Sequence, residues 1–471
     1  MIRSQAFLRM SLLACAIGAL TGCNVGPNYV RPNVTAPPVF RAADQSAVSG
    51  DASKSLGDEQ WAAVYQEPEL QALIRKALAN NYDLRIAAQR ILEQQAQVKI
   101  TRAQQFPTLS VGGTGIGAAL PSSLGTSIGS PLVDGSFSLS STWTPDFWGQ
   151  YRRQTEGARA TLLAQKWAQR AVQITLVQQV ATAYLQIRAL DTQLEITKET
   201  LKARQDSVDL TRTLESGGSV SLADVRQAEQ LLYTASSEIP QLEEQIQQQE
   251  NAVAVLLGEN PGPFVHRAPN ALAPPPQDLP TGIPSQLLER RPDIQEAEAN
   301  LISANAQIGV ARAQFFPSLS INASAGVGGD SLPSIFSASG KTIYGIGSLS
   351  QPLFEGGKLR GQVQLAEETK KEMVLTYQKT INGAFRDVSN ALIALNKQRA
   401  YREQQEKLVE AARDATRLAR LRYQGGSTSY LEVLTADSTL FSAQLNLVTA
   451  QQGEALALVQ LYSALGGGWQ S

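Results

Sequence analysis

The 471-residue sequence predicts a mainly α-helical protein with a small β component, built from one structural unit that occurs twice. Segments 102–110 and 312–320 share Arg-Ala-Gln, Phe-Pro and Leu-Ser at equal spacing. Long stretches of three- and four-residue apolar periodicity indicate helices, and two stretches of period-two alternation indicate strands. Two copies of about 200 residues are a duplicated unit rather than an array of short repeats, so one half explains most of the other.

The first 22 residues are predicted to be a lipoprotein signal peptide. A positively charged start precedes an apolar stretch over 10–20, which is too short to span a bilayer as a mature helix. Leu-Thr-Gly-Cys at 20–23 resembles the bacterial lipoprotein box, so Cys23 is the predicted lipidation site. Asn24 stands where an Asp usually retains lipoproteins in the inner membrane, which favours the outer membrane. An ordinary secretory signal that ends at a cysteine is the alternative.

The composition excludes several classes of function. Cys15 leaves with the signal, so the mature chain keeps one cysteine and no disulfide. One histidine and three methionines predict neither a transition-metal site nor a cofactor, and His266, in a proline-rich loop, is expected at the surface. The net charge of −1 suggests no nucleic-acid partner. No run of 18 apolar residues follows Cys23, so any membrane span would have to be a β-barrel.

Residues 23–65 are rich in Pro, Ala, Ser and Gly and are predicted to form an extended strap. The first copy, 66–258, begins with a helix that Pro107 ends, and period-two alternation predicts a β-hairpin over 107–145. A proline-free helical run of roughly 65 residues follows, about 100 Å long at 1.5 Å per residue. A glycine-containing turn at 216–220 then reverses the chain.

The helix that returns from this turn carries start and stop signals. Ser221 can cap its first turn, with Asp224 three residues further on. Pro240 lies inside it and predicts a kink or a break. A proline-rich linker, 259–284, leads to the second copy, 285–466. The predicted elements of that copy are a helix over 285–315, a hairpin over 317–352, a helix over 356–424, a turn at 424–429, a helix over 428–465 and, after it, a flexible tail at 467–471.

The two hairpins pose a problem that oligomerisation would solve. The strand at 136–143 alternates hydroxyl side chains with apolar ones, so it has one polar and one apolar face. Four strands are too few to close around a lumen, and an open sheet edge is not tolerated in lipid. Three chains would give a twelve-stranded transmembrane β-barrel and twelve long helices around a tunnel. The alternative is a soluble antiparallel coiled coil in which the Ser- and Gly-rich segments are loops.

A set of motifs in both copies resembles a known family. The combination is similar to the TolC-type outer-membrane efflux channels (outer membrane factors), in the lipoprotein branch that includes OprM. The resemblance covers nearly the whole mature chain. The motifs are Leu-Glu-Arg-Arg-Pro-Asp-Ile at 288–294, Ala-Arg-Ala-Gln-Phe-Phe-Pro at 311–317, Pro-Leu-Phe-Glu-Gly-Gly at 352–357, Arg-Tyr-Gln-Gly-Gly at 422–426 and Tyr-Leu-Glu-Val-Leu at 430–434.

The resemblance implies a homotrimeric channel of the bacterial outer membrane, anchored by lipid, with a tunnel that extends into the periplasm. A periplasmic adaptor and an inner-membrane efflux pump would be its partners, and the pump would supply the energy. The channel would be a passive exit duct that is gated at its periplasmic tip.

The resemblance also implies roles for residues around the glycine turns. Tyr423 and Asp224 match the family's latch, in which a tyrosine of one helix pair reaches an aspartate of the neighbouring pair. Glu432 matches an acidic ring at the narrowest point and would bind divalent cations. Thr428 stands where the latch sometimes has a basic residue, and Thr435 stands at the second acidic position. The latch is therefore expected to be weaker, and cation selectivity to rest on Glu432 alone.

Each acidic candidate also has a plainer interpretation. Asp224 can be a helix N-terminal charge that the helix dipole favours. Glu432 can be a solvated carboxylate in the first turn of a helix, and Asp437 is expected on a solvated face. These alternatives stay open at the level of the sequence.

The sequence predicts that the protein is not an enzyme, because it contains no glycine-rich phosphate loop, nucleophile elbow or metal cluster. A periplasmic adaptor is the main alternative, since adaptors also have lipid anchors and long helical hairpins. Adaptors need Val- and Ile-rich β-domains, however, and this chain is helical beyond its two hairpins. A structural coiled-coil lipoprotein is the third possibility.

Overall fold

The structure is a computed structural model that describes residues 24–41, 55–118, 132–262, 276, 280, 282–330, 332–335, 337 and 340–469. The signal peptide, Cys23 and His266 lie outside this part of the chain. The α-helices in chain order are α1 Trp61–Val64, α2 Pro68–Asn80, α3 Tyr82–Ala103, α4 Gln150–Ser216, α5 Leu222–Leu256, α6 Leu287–Arg290, α7 Pro292–Ala313, α8 Leu332–Ile335, α9 Lys358–Gln424 and α10 Tyr430–Ala464. The strands are β1 Thr108–Ala118, β2 Leu132–Trp143, β3 Ser318–Gly329 and β4 Lys341–Ser350.

The helix lengths show the internal duplication directly. Helices α4 and α9 each have 67 residues, α5 and α10 each have 35, and α3 and α7 each have 22. The prediction of a mainly helical chain built from two copies of one unit is therefore confirmed. None of the helices in the described ranges is long and apolar enough to cross a membrane.

The chain divides into two compact units. The first comprises 1–33, 90–166 and 296–378, and the second comprises 34–89, 167–295 and 379–471. The first unit contains one four-stranded antiparallel sheet with the order β1-β2-β3-β4. The sequence predicted two hairpins, and the sheet joins them because β2 also pairs with β3, for example Thr142 with Asn322. Strand β2 begins at Leu132, within the predicted hairpin 107–145.

The sheet has a hydroxyl face and an apolar face. Hydroxyl pairs cross between neighbouring strands, with oxygen–oxygen distances of 2.8 Å for Ser110 and Ser140 and 2.7 Å for Ser320 and Ser348. The next row along the register consists of Val111, Leu139, Ala325 and Ile343. In that row the side chain of Ile343 is 84% exposed. The period-two pattern predicted over 136–143 is present in β2, whereas β4 departs from it at Ile346, which lies in the row of Thr142 and Asn322.

Two helices predicted to be continuous are interrupted. Asn81 separates α2 from α3, because its side chain accepts a hydrogen bond from the Leu84 amide (3.1 Å) and donates one to the Leu256 carbonyl (3.0 Å). Asparagine is favoured at such a helix start. In the second copy the predicted helix over 285–315 breaks at Arg291, the extended residue before Pro292. In both cases a single continuous helix was the wrong prediction.

Pro240 does not break α5, which runs without interruption from Leu222 to Leu256. A proline at this position removes the hydrogen bond to the carbonyl of Ser236. Both Pro240 and Ser236 are exposed, so water can satisfy the freed carbonyl. The predicted break is therefore avoided because the helix carries the proline on its solvent side.

The glycine run near the C-terminus is packed, in contrast to the predicted flexible tail. Gly466, Gly467 and Gly468 are buried, and the Gly467 amide donates to the Tyr462 carbonyl at 3.0 Å. A Cβ on Gly467 would lie 2.2 Å from the Tyr462 ring, so only glycine lets the backbone pass there. Trp469 then packs edge-on against Trp167. The glycine-rich composition predicted a mobile tail, whereas in the structure the lack of side chains lets the backbone pack closely against its surroundings.

Candidate functional site

The candidate residues gather where the two long helical hairpins of the second unit reverse direction. The first glycine turn, 217–221, joins α4 to α5, and the second, 425–429, joins α9 to α10. One apolar cluster holds the two turns together. Its buried members are Val208, Ala228, Leu232, Ala419, Tyr430, Val433 and Leu434. All four helices contribute to this cluster, so it fixes the two turns next to each other.

The two turns have the same backbone geometry. Gly218 and Gly426 adopt left-handed conformations, with φ of 71° and 72°. In the first turn the Ser219 amide donates to the Leu214 carbonyl at 2.9 Å. In the second turn Ser427 makes the equivalent bond to Arg422, also at 2.9 Å. This pattern is the Schellman end of a helix, and it makes positions 217–221 and 425–429 structurally equivalent.

Asp224 caps its own helix. The Ser221 amide and hydroxyl donate to the same Asp224 carboxylate oxygen at 3.0 and 2.7 Å, and the Asp224 amide donates back to the Ser221 hydroxyl at 3.3 Å. The predicted capping box at Ser221 is therefore confirmed. Hydrogen bonds from the Ser221 hydroxyl and amide lower the pKa of the Asp224 carboxyl below its ordinary value. The predicted latch contact between Asp224 and Tyr423 of the neighbouring helix pair stays a prediction.

We expect Ser221→Ala to weaken the start of α5 by about 1 kcal/mol, because the variant loses both bonds of the hydroxyl. Hydrogen exchange of the first amides of α5, followed by mass spectrometry, should become faster by about fivefold. Ser429→Ala is the matched control, since Ser429 caps α10 without a side-chain hydrogen bond. Equal effects of the two variants on their helices would contradict the capping role.

The same contact predicts a pH dependence with a definite sign. The pKa of Asp224 is lowered in the folded protein. The stabilisation by its charged carboxylate is therefore fully present above the pKa of the unfolded chain, about 3.9. The contribution is lost as the pH falls through the lower folded value. Exchange at the start of α5, corrected for its intrinsic pH dependence, should therefore stay constant at neutral pH and rise only in strong acid. A rise near pH 6 would contradict this assignment.

Tyr423 lies beside Asp224 in a cleft between the two turns. The cleft has a volume of about 520 Å³. The ring of Tyr423 packs against that of Tyr430, with a centroid distance of 4.9 Å. Partial burial, the nearby phenol of Tyr430 and the charge of Asp224 raise the pKa of Tyr423. The structure thus brings the two predicted latch residues to one place within a single chain.

Glu432 is paired on both carboxylate oxygens. Arg422 donates from Nη1 to Oε1 at 2.5 Å, and the Thr428 hydroxyl donates to Oε2. The side chain of Glu432 is 40% exposed. Glu432 lies in the first turn of α10 and is partly solvated, as the plainer interpretation has it. It is also ion-paired, and the cation comes from Arg422, which the sequence analysis did not single out as a site residue. Arg422 could have been found from its place in the last turn of α9, directly across the tight turn from Glu432.

Two other predicted positions differ in their surroundings. The Thr435 hydroxyl donates to the Leu431 carbonyl of its own helix at 2.8 Å and is exposed. Asp437, expected on a solvated face, accepts from Arg420 at 2.9 Å, and its side chain is only 20% exposed. The packing of α10 against α9 brings this carboxylate to a basic partner that sequence spacing does not reveal. Across the described residues, no group of three or more His, Cys, Asp or Glu side chains could hold a metal ion.

Comparison with known proteins identifies the family. The outer membrane efflux protein family matches residues 73–259 and 283–467, which begin 210 residues apart and so correspond to the two copies. The chain is 35% identical over 464 residues to the toluene efflux pump outer membrane protein TtgC of Pseudomonas putida, which covers 98% of this chain and 96% of TtgC. It is 33% identical over 458 residues to the cation efflux system protein CusC of Escherichia coli, covering 97% and 98%.

The fold agrees with a solved structure of the same kind. The open-state crystal structure of the MtrE outer membrane channel of Neisseria gonorrhoeae matches with a TM-score of 0.85 and 28% identity, over 95% of this chain and 99% of that chain. The chain belongs to the outer membrane efflux protein family. It is an outer-membrane efflux channel, related to the TolC-type channels that the sequence resembles, and a transport protein rather than an enzyme.

Proposed function

We propose that three copies of the chain form the outer-membrane exit duct of a tripartite efflux system. The observation that supports the trimer is the order of the sheet, β1-β2-β3-β4, which leaves β1 and β4 as edges within one chain. Unpaired edges of this length need a partner. Because the strands alternate in direction, β4 of one copy can pair antiparallel with β1 of the next. Four strands are too few to enclose a channel, whereas three copies supply a closed barrel of twelve.

The two faces of the sheet support the same arrangement. The row of Val111, Leu139 and Ile343 is apolar and exposed in the single chain, as a lipid-facing surface would be. The adjacent hydroxyl row would then line a water-filled lumen, because successive side chains point to opposite faces. In this proposal the copies 66–258 and 285–466, joined by the linker 259–284, contribute two strands and one long helical hairpin each.

We further propose that a periplasmic adaptor and an inner-membrane pump are the partners and that the pump determines the cargo. The relatives are named for different cargoes, toluene for TtgC and cations for CusC, although each matches this chain over nearly its full length. A duct of common design that serves different pumps accounts for this. Cargo is therefore best sought from the adaptor and pump that copurify with the full-length protein.

A lipid on Cys23 is part of the proposal. The Leu-Thr-Gly-Cys motif at 20–23 supports it, as does the short apolar stretch before it. Mass spectrometry of the N-terminal peptide from membranes tests it. Diacylglycerol and an N-acyl chain on Cys23 are expected, and an unmodified cysteine would overturn this part of the proposal.

Electron microscopy of the purified protein in detergent tests the assembly. Three-fold end views with a hollow centre and step-like single-channel currents in planar bilayers are the expected results. Monomeric rods, or rings of another symmetry without currents, would favour the alternatives, a periplasmic adaptor or a structural coiled-coil lipoprotein.

We expect Tyr423→Phe to increase the open fraction of the channel about fivefold, since it removes one hydrogen bond worth about 1 kcal/mol from the proposed latch to Asp224. Single-channel recordings and antibiotic leak into cells measure the effect. Tyr233→Phe is the control, because Tyr233 is an exposed tyrosine of α5. Currents of Tyr423→Phe that match the wild type would remove the latch.

A further inference from the structure

The two glycine turns use an acidic residue at the same position for different purposes. Ser221 and Asp224 occupy the positions of Ser429 and Glu432, because both serines are the cap residue and both acids stand three residues later. Asp224 accepts from the Ser221 amide and hydroxyl, whereas Ser429 makes no side-chain cap bond and Glu432 is turned toward Arg422 and Thr428. The two copies can therefore be compared position by position at their turns.

The difference follows from two residues of the second turn. Leu214 stands where the second copy has Arg422, and Val220 stands where it has Thr428. Neither apolar side chain can bind a carboxylate, so Asp224 remains at its own cap. Arg422 and Thr428 supply two donors, and one of them is charged, which makes the stronger bond. The arginine thus draws the acid away from the helix start.

The backbone holds Arg422 in place for this contact. Its carbonyl accepts from the Ser427 amide and from the Ser427 hydroxyl, each at 2.9 Å. The Gly425 amide donates to the Leu421 carbonyl at 3.0 Å. The guanidinium is 56% exposed, so the pair contributes little to stability. Its consequence is a local charge: the Glu432 carboxylate is balanced inside each chain.

We propose that Arg422 is the counter-ion that determines the ion selectivity of the channel, by neutralising the Glu432 carboxylate within each chain. This inference rests on the trimeric channel proposed above. Rings of acidic side chains make a pore cation-selective, but three Glu432 carboxylates paired with three Arg422 guanidinium groups carry no net charge. The cation selectivity expected from Glu432 alone is therefore suppressed. Position 428 holds a threonine where the latch sometimes has a basic residue, and Arg422, on the other side of the turn, supplies the positive charge instead.

The test is the permeability ratio of K⁺ to Cl⁻, measured on the full-length protein in planar bilayers under a KCl gradient. Arg422→Gln should raise this ratio by about tenfold, because the ring becomes net negative and concentrates cations. Mg²⁺ should also block the variant at about tenfold lower concentration. Glu432→Gln should shift the ratio toward Cl⁻, and the double variant should return close to the wild type.

Two controls separate the pair from overall charge and from damage to the turn. Arg422→Lys keeps the charge and should keep the wild-type ratio. Arg417→Gln removes an arginine of α9 that pairs with the exposed Asp414 and should leave the ratio unchanged. An Arg422→Gln channel with wild-type selectivity and wild-type Mg²⁺ block would overturn the assignment. The absence of currents from every form, the wild type included, would instead contradict the proposed channel.

Discussion

The double variant Arg399→Gln/Arg402→Gln is expected to lower the free energy of unfolding by about 3–5 kcal/mol, because it leaves a buried carboxylate without a cation. That carboxylate is Glu454 on α10, whose side chain is only 1% exposed. Arg399 donates from Nε to Oε1 at 3.1 Å, and Arg402 donates from Nε to Oε2 at 2.5 Å. Arg399 also donates to the Pro276 carbonyl at 2.9 Å, so the cluster holds both the α9–α10 contact and part of the linker.

The thermal midpoint of helical circular dichroism, at fixed protein and detergent concentration, measures this loss. Lys371→Gln is a suitable control: Lys371 pairs with Glu368 on the surface, where both side chains are more than half exposed. Such a pair is worth about 0–1 kcal/mol. A double variant as stable as the control would show that Glu454 gains access to water in the assembled protein.

A third variant distinguishes two effects on the free energy of unfolding: the loss caused by an unpaired Glu454 and the net contribution of the whole ion cluster. Replacing all three residues together, as Arg399→Met/Arg402→Met/Glu454→Leu, removes the charges and the need to pair them. Apolar replacement of a buried ion cluster is often neutral or stabilising. We therefore expect the triple variant to be more stable than the double variant, although it lacks more hydrogen bonds.

Regular elements of this fold were predictable because their signals are local. The alternation of serine and apolar residues over 136–143 lies within the observed strand β2. The absence of proline over roughly 65 residues anticipates α4, and the glycine turns anticipate both reversals of the chain. Because of the duplication each pattern occurs twice in the sequence, and α9 and α10 have the same lengths as α4 and α5.

Two of the failures share a physical cause, which is that a tertiary contact decided the structure and local composition did not indicate that contact. Asn81 ends a helix because it bonds to the Leu256 carbonyl, and no local pattern reveals that contact. The glycines at 466–468 indicated mobility, but all three are buried, and the Tyr462 ring leaves no room for a Cβ on Gly467. Local composition states which conformations are accessible, whereas tertiary contacts select among them.

The candidate site shows the same division. Family resemblance located Tyr423, Asp224 and Glu432, and the structure brings them to two adjacent turns. Resemblance did not reveal the hydrogen-bond partners of the two carboxylates, Ser221 for Asp224 and Arg422 for Glu432. The capping role of Ser221 was predictable, because its signal spans three residues. The place of Arg422 in the last turn of α9 indicates a basic residue near Glu432, but only the side-chain geometry shows the bond between them.

The second large effect is expected at the N-terminal strap. Arg153→Met should release residues 25–28 from the first unit and increase hydrogen exchange of this segment by roughly a hundredfold, since bonds to a charged group are worth about 1.5–3 kcal/mol each. The Arg153 side chain is 2% exposed. It donates to the Val25 and Gly26 carbonyls at 3.2 Å and to Asn28 Oδ1 at 2.9 Å. Arg152→Gln is the control, because the neighbouring arginine binds Asp146 instead.

A glycine substitution tests the same strap without removing a charge. A Cβ on Gly309 would lie 2.8 Å from both Arg153 Cγ and the Val25 carbonyl oxygen, closer than real contacts allow. Gly309→Ala should therefore displace the strap and speed exchange over 25–28. Gly361→Ala on α9 meets no atom within 4 Å and should stabilise its helix by up to about 1 kcal/mol. A glycine-to-alanine substitution is thus expected to destabilise the structure at position 309 and to stabilise it at position 361. Slow hydrogen exchange of residues 25–28 in Gly309→Ala would show that the close approach of Gly309 to Val25 does not hold the strap in place.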